Sequence, residues 1–373
     1  MGRGASSNIG NRFEPLWSEP DPEWNHADDP GPQTVFFEDA TSSLITSNDS
    51  PDIGFSKSFN PYRGCEHGCI YCYARPTHEY LGWSAGLDFE SRILVKTRAP
   101  ELLREELSSQ RWQPQLLAAS GVTDCYQPVE RRLALTRRCL EVLAEFRNPV
   151  TIITKSALVT RDVDLLRDLA SHGACSVTIS VTTLRQEISL ALEPRASVPA
   201  ARLAALRVLA DAGIPVGVNL QPIIPGLTDH EIPAILAACA SSGAQWAGFG
   251  LVRLPLTVAP LFQQWLLEKQ PGVREKVLAR IREVRDGALN DPRFGTRRSG
   301  EGVYAEQLAA LVAVHRRRLG LDREWPELSV AAFRSSAPRQ LSWLDDGPAE
   351  AQPAPTSPAS GETVRVAAQV RKS

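Results

Sequence analysis

No run of this 373-residue chain approaches the roughly 18 consecutive apolar residues that a membrane-spanning helix needs. No apolar leader opens it, so nothing at its start reads as a signal peptide. These two lacks point to a cytoplasmic protein without a membrane partner. Net charge is almost missing too. The 41 Lys and Arg stand against 43 Asp and Glu, for a balance of −2, which excludes a chain that binds polyanions by bulk charge. No internal repeat at a fixed period is present, which argues against a solenoid or array. A disulfide framework is also absent: of 7 cysteines, three crowd into one short loop. Reduced thiols suit the cytoplasm, where a metal cluster can persist.

That loop is the most informative part of the chain. Cys65, Cys69 and Cys72 stand in Arg63-Gly64-Cys65-Glu66-His67-Gly68-Cys69-Ile70-Tyr71-Cys72-Tyr73, spaced C-x-x-x-C-x-x-C. Three thiolates this close suit one soft metal centre. A 4Fe–4S cluster usually takes four cysteines; three leave one iron open to a substrate or cofactor. Two other readings remain open at this point. His67 with the cysteines forms a Cys₃His zinc set, although zinc modules usually draw on two separated pairs. Cys69-Ile70-Tyr71-Cys72 also reads as a redox C-x-x-C, which leaves Cys65 idle.

The ends differ from the middle. Residues 1–40 hold eight acidic and two basic groups, so residues 1–54 read as an irregular acidic extension, with Phe13, Trp17 and Trp24 as its anchors. Residues 346–373 are Pro-, Ala-, Ser- and Glu-rich and read as a disordered tail. Between them, strand patterns at Ile93–Lys96, Gly121–Cys125, Val150–Thr154, Ser176–Val181, Val216–Pro222 and Trp246–Arg253 alternate with helical ones at Pro100–Ser108, Arg131–Phe146, Asp162–Ser171, Ala200–Ala212 and His230–Ser241. Gly173 and Gly213 stand where helix C-caps belong. Near-continuous Val/Ile runs suit strands buried on both faces. The alternation predicts an α/β fold: an incomplete TIM-type barrel of six or seven β/α units over a core of residues 55–255. A basic helical extension follows over residues 256–345.

Such barrels carry chemistry at the C-terminal ends of their strands. Polar residues at those ends are Thr123 and Asp124, Lys155, Ser180, then Asn219 and Gln221 within an apolar run. Thr123 and Asp124 suit an ammonium, or Asp124 a turn or N-cap; Lys155 suits a carboxylate. Buried amides such as Asn219 need partners, which a nucleoside or an internal network supplies. Glu193-Pro194-Arg195 reads as a charged loop near the pocket.

Taken with an aromatic before the third cysteine and the order Cys65–Cys72, Thr123-Asp124, Thr154-Lys155, Ser180, Glu193-Pro194 and Ala212-Gly213-Ile214-Pro215, the chain resembles the spore photoproduct lyase-like branch of the radical S-adenosylmethionine (SAM) superfamily. The resemblance covers about residues 55–255. It implies a (β/α)6 radical SAM barrel in which Cys65, Cys69 and Cys72 ligate a 4Fe–4S cluster. SAM chelates the open iron and is split reductively, and the resulting radical abstracts a hydrogen atom from the substrate. Tyr71 would lie against adenine, Thr123 and Asp124 at the SAM amino group, Lys155 at its carboxylate, Ser180 at that carboxylate or the ribose, and Asn219 at the nucleoside. A low-potential electron donor of the flavodoxin or ferredoxin type is implied. The chain departs from the lyase pattern in one respect. The hydrogen-donating cysteine of that family falls where Gly121 and Val122 stand here, and Cys125 follows Asp124. Cys125 is therefore either a displaced hydrogen donor or a buried apolar residue.

Residues 269–339 hold fifteen Lys/Arg against nine Asp/Glu. Arg293–Arg298 and Arg316–Arg318 are the densest parts, which suits a nucleic-acid or anionic substrate, or else a solvated helix face. The competing reading of the whole chain is a non-catalytic, zinc- or iron–sulfur-stabilised nucleic-acid-binding protein.

Overall fold

The computed structural model describes residues 2–13 and 33–335, all within one compact unit. Among the described residues ten strands form: β1 (Val35–Glu38), β2 (Ile45–Ser47), β3 (Lys57–Phe59), β4 (Tyr62–Arg63), β5 (Arg92–Val95), β6 (Leu117–Ala119), β7 (Val150–Thr154), β8 (Cys175–Ser180), β9 (Val216–Ile223) and β10 (Trp246–Leu251). Seven of them make one sheet in the order β10-β9-β8-β7-β6-β3-β2. Its neighbours are parallel from β3 to β10, and only β2 runs antiparallel. These six parallel strands make the incomplete barrel that the alternation predicts.

Hydrophobicity explains the layering. All six residues of β8 are buried, as expected where helices cover one face and the barrel interior the other. The helix Leu135–Phe146 buries Leu135, Cys139, Leu140, Val142, Leu143 and Phe146 on one stripe. Each large apolar side chain so buried contributes about 1.5–3 kcal/mol. The helices Val163–Ser171, Pro199–Asp211 and Ile232–Ser241 return the chain between successive strands. Gly173 and Gly213 end the first two with positive φ, as C-caps do.

Several expectations are corrected. The strand expected over Gly121–Cys125 forms earlier, as β6. Ser120 (φ 123°) and Gly121 (φ 77°) leave extended geometry, so residues 121–125 form a loop past the strand's end. The helix expected over Arg131–Phe146 breaks at Ala134 (φ 51°). The Ile93–Lys96 pattern does form a strand, β5, but in a side sheet with β1 and β4. The first barrel strand, β3, is only three residues long and shows no pattern of its own.

The irregular extension expected over residues 1–54 is partly woven into the fold. β1 pairs with β5 and β2 with β3. Residues 2–13 pack against residues 79–90, and the Phe13 ring lies tilted against Tyr80 at 5.0 Å. Trp17 and Trp24, with the tail 346–373, lie outside the described residues. The C-terminal extension is helical as expected, with helices at Val258–Lys269, Arg274–Glu283, Thr296–Ser299 and Val303–Leu319. Among the described residues no helix is long and apolar enough to cross a membrane.

Candidate metal and cofactor site

The cysteine loop follows β3 and β4 and is pinned from every side. Cys65 N–H donates to Phe89 O (3.0 Å), and Ile70 N–H to Leu192 O (3.0 Å). Glu66 accepts the Val129 N–H (2.7 Å) and pairs with Arg195 (2.9 Å). Beneath the loop, buried Arg75 donates to Cys69 O (2.9 Å) and Gly68 O (3.1 Å) and pairs with buried Glu90 (2.5 Å). Gly68 takes φ 67°, and a Cβ there would lie 2.5 Å from the Glu90 carboxylate. The turn therefore needs glycine twice over, for its hand and for its room.

The three thiols are held within this one loop. Cys65 and Cys69 are buried and Cys72 is half-buried, and none is in a disulfide. Burial pushes all three thiols up, and main-chain N–H groups of Asp124 and Ala74 are directed at Cys65 and Cys72. A centre bound here must itself stabilise the thiolates. A single tetrahedral zinc, at about 2.3 Å from each sulfur, draws its ligands tightly together. Among the described residues no three His, Cys, Asp or Glu side chains gather so closely. His67, the fourth ligand of the zinc reading, instead contacts Asp124 (Nδ1–Oδ2 3.4 Å).

Asp124 and Thr123 turn inward. The Asp124 carboxylate accepts the Tyr126 N–H (2.9 Å), the Lys155 N–H (2.8 Å) and the Thr154 hydroxyl (2.7 Å), besides His67. Burial alone would raise this carboxyl; His67 and those donors outweigh it and hold it below the usual range. With about four lone-pair sites so occupied, little remains for a ligand ammonium. Thr123 accepts from Asn60 Nδ2 (3.0 Å) and donates to Tyr62 O (3.1 Å). Both residues fasten the β6 loop to the cysteine loop. Cys125 is fully buried in the main apolar core. Its thiol accepts the Ser120 hydroxyl (3.5 Å). This placement matches the buried apolar residue of the two readings.

The remaining strand-end residues do converge. Lys155 follows β7; its Nζ donates to Gln221 O (3.0 Å), lies 3.5 Å from Glu193 and sits over the Tyr71 ring at 5.8 Å. Glu193 also accepts from the Tyr71 hydroxyl, from Thr182 (2.8 Å) and from buried Arg202. Burial opposes the charge of Glu193, but Arg202 and Lys155 prevail and depress its carboxyl strongly. Arg202 in turn donates to Ser180 O (3.0 Å), so Ser180 is placed by the same network. Asn219 lies beside Ser180 in register and donates to Gln221 Oε1 (2.9 Å), but its Oδ1 is buried without a partner. A buried acceptor left unpaired costs about 1–3 kcal/mol; a bound donor group would remove that cost. Tyr71, in contrast, is packed among Cys69, Ile70 and Leu192, with its hydroxyl spent on Glu193. The Glu193–Arg202 pair was missed as a unit by the sequence, because nothing in a helical Arg marks its partner.

Residues 59–239 match the family model of the radical SAM superfamily. An uncharacterized protein of Mycobacterium tuberculosis is 33% identical over 278 residues, covering 74% of this chain and 79% of its own length. The chain belongs to the radical SAM superfamily. A second relative, an uncharacterized protein of Methanocaldococcus jannaschii, is 31% identical over 175 residues, 46% of this chain and 62% of that one. Among solved structures, spore photoproduct lyase complexed with dinucleoside spore photoproduct superposes with a TM-score of 0.54 at 15% identity, over 77% of this chain and 79% of that one. A variant of that lyase with bound AdoMet and the same photoproduct gives 0.53 at 16% identity, with the same coverage. The radical SAM chain thus shares the lyase's fold. Membership implies SAM and an iron–sulfur cluster as its cofactors, and the thiol loop with the unpaired Asn219 oxygen fits both.

Proposed function

We propose that this chain is an enzyme that holds a 4Fe–4S cluster on Cys65, Cys69 and Cys72, cleaves SAM reductively and abstracts a hydrogen atom from an anionic substrate, nucleic acid among the candidates. The observation that carries the reading is the juxtaposition of three unbridged thiols on one pinned loop with Lys155 and the unpaired Asn219 Oδ1 at the strand ends. Bound together and reduced, cluster and SAM supply a 5′-deoxyadenosyl radical; the chemistry is the cofactor's and the protein orients and shields it. Lys155 retains donor capacity for the SAM carboxylate, since an ammonium has three hydrogens. Ser180 and Asn219 line the strand ends on the nucleoside side, and the Tyr71 main chain is next to the cluster ligand Cys72. The core is residues 55–255. A low-potential donor of the flavodoxin or ferredoxin type delivers the electron, and the protein works in the cytoplasm.

The test is anaerobic reconstitution with iron and sulfide, reduction, and measurement of 5′-deoxyadenosine from SAM. Formation that disappears in Cys69→Ala supports the reading. A chain that takes up one zinc and no iron overturns it and leaves a zinc-stabilised binding protein.

A further inference from the structure

We infer that Arg253 and Arg298, beside the ring of Tyr73 at the mouth of the barrel, form a receptor for a phosphoryl group of the substrate. This rests on the radical SAM reading above and adds the substrate's chemical class. Arg253 stands two residues past β10. Its guanidinium lies over the Tyr73 ring at 5.7 Å, and Tyr73 directly follows Cys72. Tyr73 itself donates to Gly121 O (2.7 Å), just beyond β6, which fixes the ring over the strand ends. Arg253 makes no ion pair among the described residues, and its Nε is buried without a partner. Arg298 reaches in from the helix Thr296–Ser299 to Gln221 Oε1 (3.3 Å) and donates to the main-chain oxygen of Asp52. Gln221 accepts from Asn219 as well, so the receptor adjoins the expected nucleoside position.

The nearby carboxylates are spent elsewhere. Asp52 accepts from Arg297 and from the Gly295 N–H (2.7 Å). Asp291 accepts from Arg293 (2.9 Å) and Thr296 (2.7 Å). Arg285, buried close by, donates to Val252 O (2.9 Å) and Thr296 O (2.9 Å), and so fastens the arginine-bearing segment to the end of β10. Among the described residues neither half-buried guanidinium therefore forms an ion pair, and the one carboxylate that acts on both, Asp52, is committed to Arg297. Two negative charges brought by a ligand would balance them. A phosphate monoester carries that charge near neutral pH, two neighbouring phosphodiesters of a nucleic acid carry it between them, and the oxygens of either match the guanidinium fork. The other basic run, Arg316–Arg318, ends the helix Val303–Leu319, where cations offset the helix dipole.

The phosphoryl group belongs either to a small phosphorylated molecule or to a single-stranded nucleic acid. The cluster-reconstituted full chain, without SAM, is titrated calorimetrically with inorganic phosphate, ribose 5-phosphate and a short oligothymidylate. Phosphate binding that weakens tenfold or more in Arg253→Gln and in Arg298→Gln, but not in Arg318→Gln, supports the site. Arg253→Lys, which keeps the charge and loses the fork, should retain part of the affinity. Tighter binding of the oligonucleotide than of ribose 5-phosphate assigns the source to nucleic acid; the reverse assigns it to a small molecule. No phosphate binding by the wild-type chain, or equal binding by both glutamine variants, overturns the site. Phosphate binding by a chain that takes up one zinc and no iron would overturn the radical reading while leaving this site standing.

Discussion

Replacing Glu193 by Gln should be the most damaging single change near the proposed cofactor site. The carboxylate is fully buried and faces Arg202, whose side chain is 1% exposed, with Lys155 on its other side. Removing one member of a buried pair strands the other charge, at a cost of about 3–5 kcal/mol. For a domain of this size each kcal/mol moves the unfolding midpoint by about 2 °C, so Glu193→Gln should lower it by roughly 6–10 °C. The sign with pH is definite. The folded carboxyl is depressed by Arg202 and Lys155, so its stabilisation is complete above the unfolded value of about 4.3 and fades as pH falls toward the folded one. The gap between wild type and variant should then be full at neutral pH and close below about pH 4. Thermal unfolding followed by circular dichroism, repeated across that range, measures both. The double change Glu193→Gln with Arg202→Met should recover much of the loss, since no charge facing Arg202's site is left stranded by it. A variant as stable as wild type at pH 7, or a gap that ignores pH, would refute the reasoning.

Three further outcomes are expected. Cys125→Ala removes a thiol from the core and should cost about 1 kcal/mol, with 5′-deoxyadenosine formation unchanged; a fall in product at full iron content would restore Cys125 to the chemistry. Gly68→Ala forces a Cβ into left-handed backbone and against Glu90, and should cost about 2 kcal/mol or more. Fewer irons per chain after reconstitution would accompany the loss, and an unchanged midpoint would show that the turn is not constrained as described. Lys155→Ala should leave iron content intact and weaken SAM binding about tenfold, the equivalent of 1.4 kcal/mol, measured by equilibrium dialysis; equal affinity would remove Lys155 from the SAM carboxylate.

Periodicity and motif made most of the barrel legible. Continuous apolar runs marked β7, β8 and β9, because strands covered on both faces have no polar alternation to hide them. β3 and β6 were hard to read because three residues carry no period, and the polar run Thr123-Asp124 drew the sixth strand's reading a few residues too late. The cysteine loop was legible because spacing alone defines it. What the sequence could not show is which way strand-end polar groups face. Asp124 and Lys155 look alike as charged residues after strands, yet one is enclosed by Tyr126, Thr154 and His67 while the other reaches across to β9. Arg253 was invisible for the opposite reason: its significance lies in a missing carboxylate, and that is a property of space.

The first residues of the chain are tied to the cysteine loop through one carboxylate. Gly4 and Ala5 donate their N–H groups to Glu90 (2.9 and 2.8 Å), the same carboxylate that holds Arg75 under the cysteine loop. Gly4 lies so close to Gly68 that a Cβ on it would fall 1.7 Å from the Gly68 carbonyl oxygen. Positions 4, 68 and 90 thus behave as one lock with three tumblers. When sequences of relatives are aligned, a side chain larger than hydrogen at position 4 should coincide with a rebuilt turn at position 68 or a different residue at position 90. A fragment trimmed to begin at residue 55 would leave the Glu90 carboxylate two donors short.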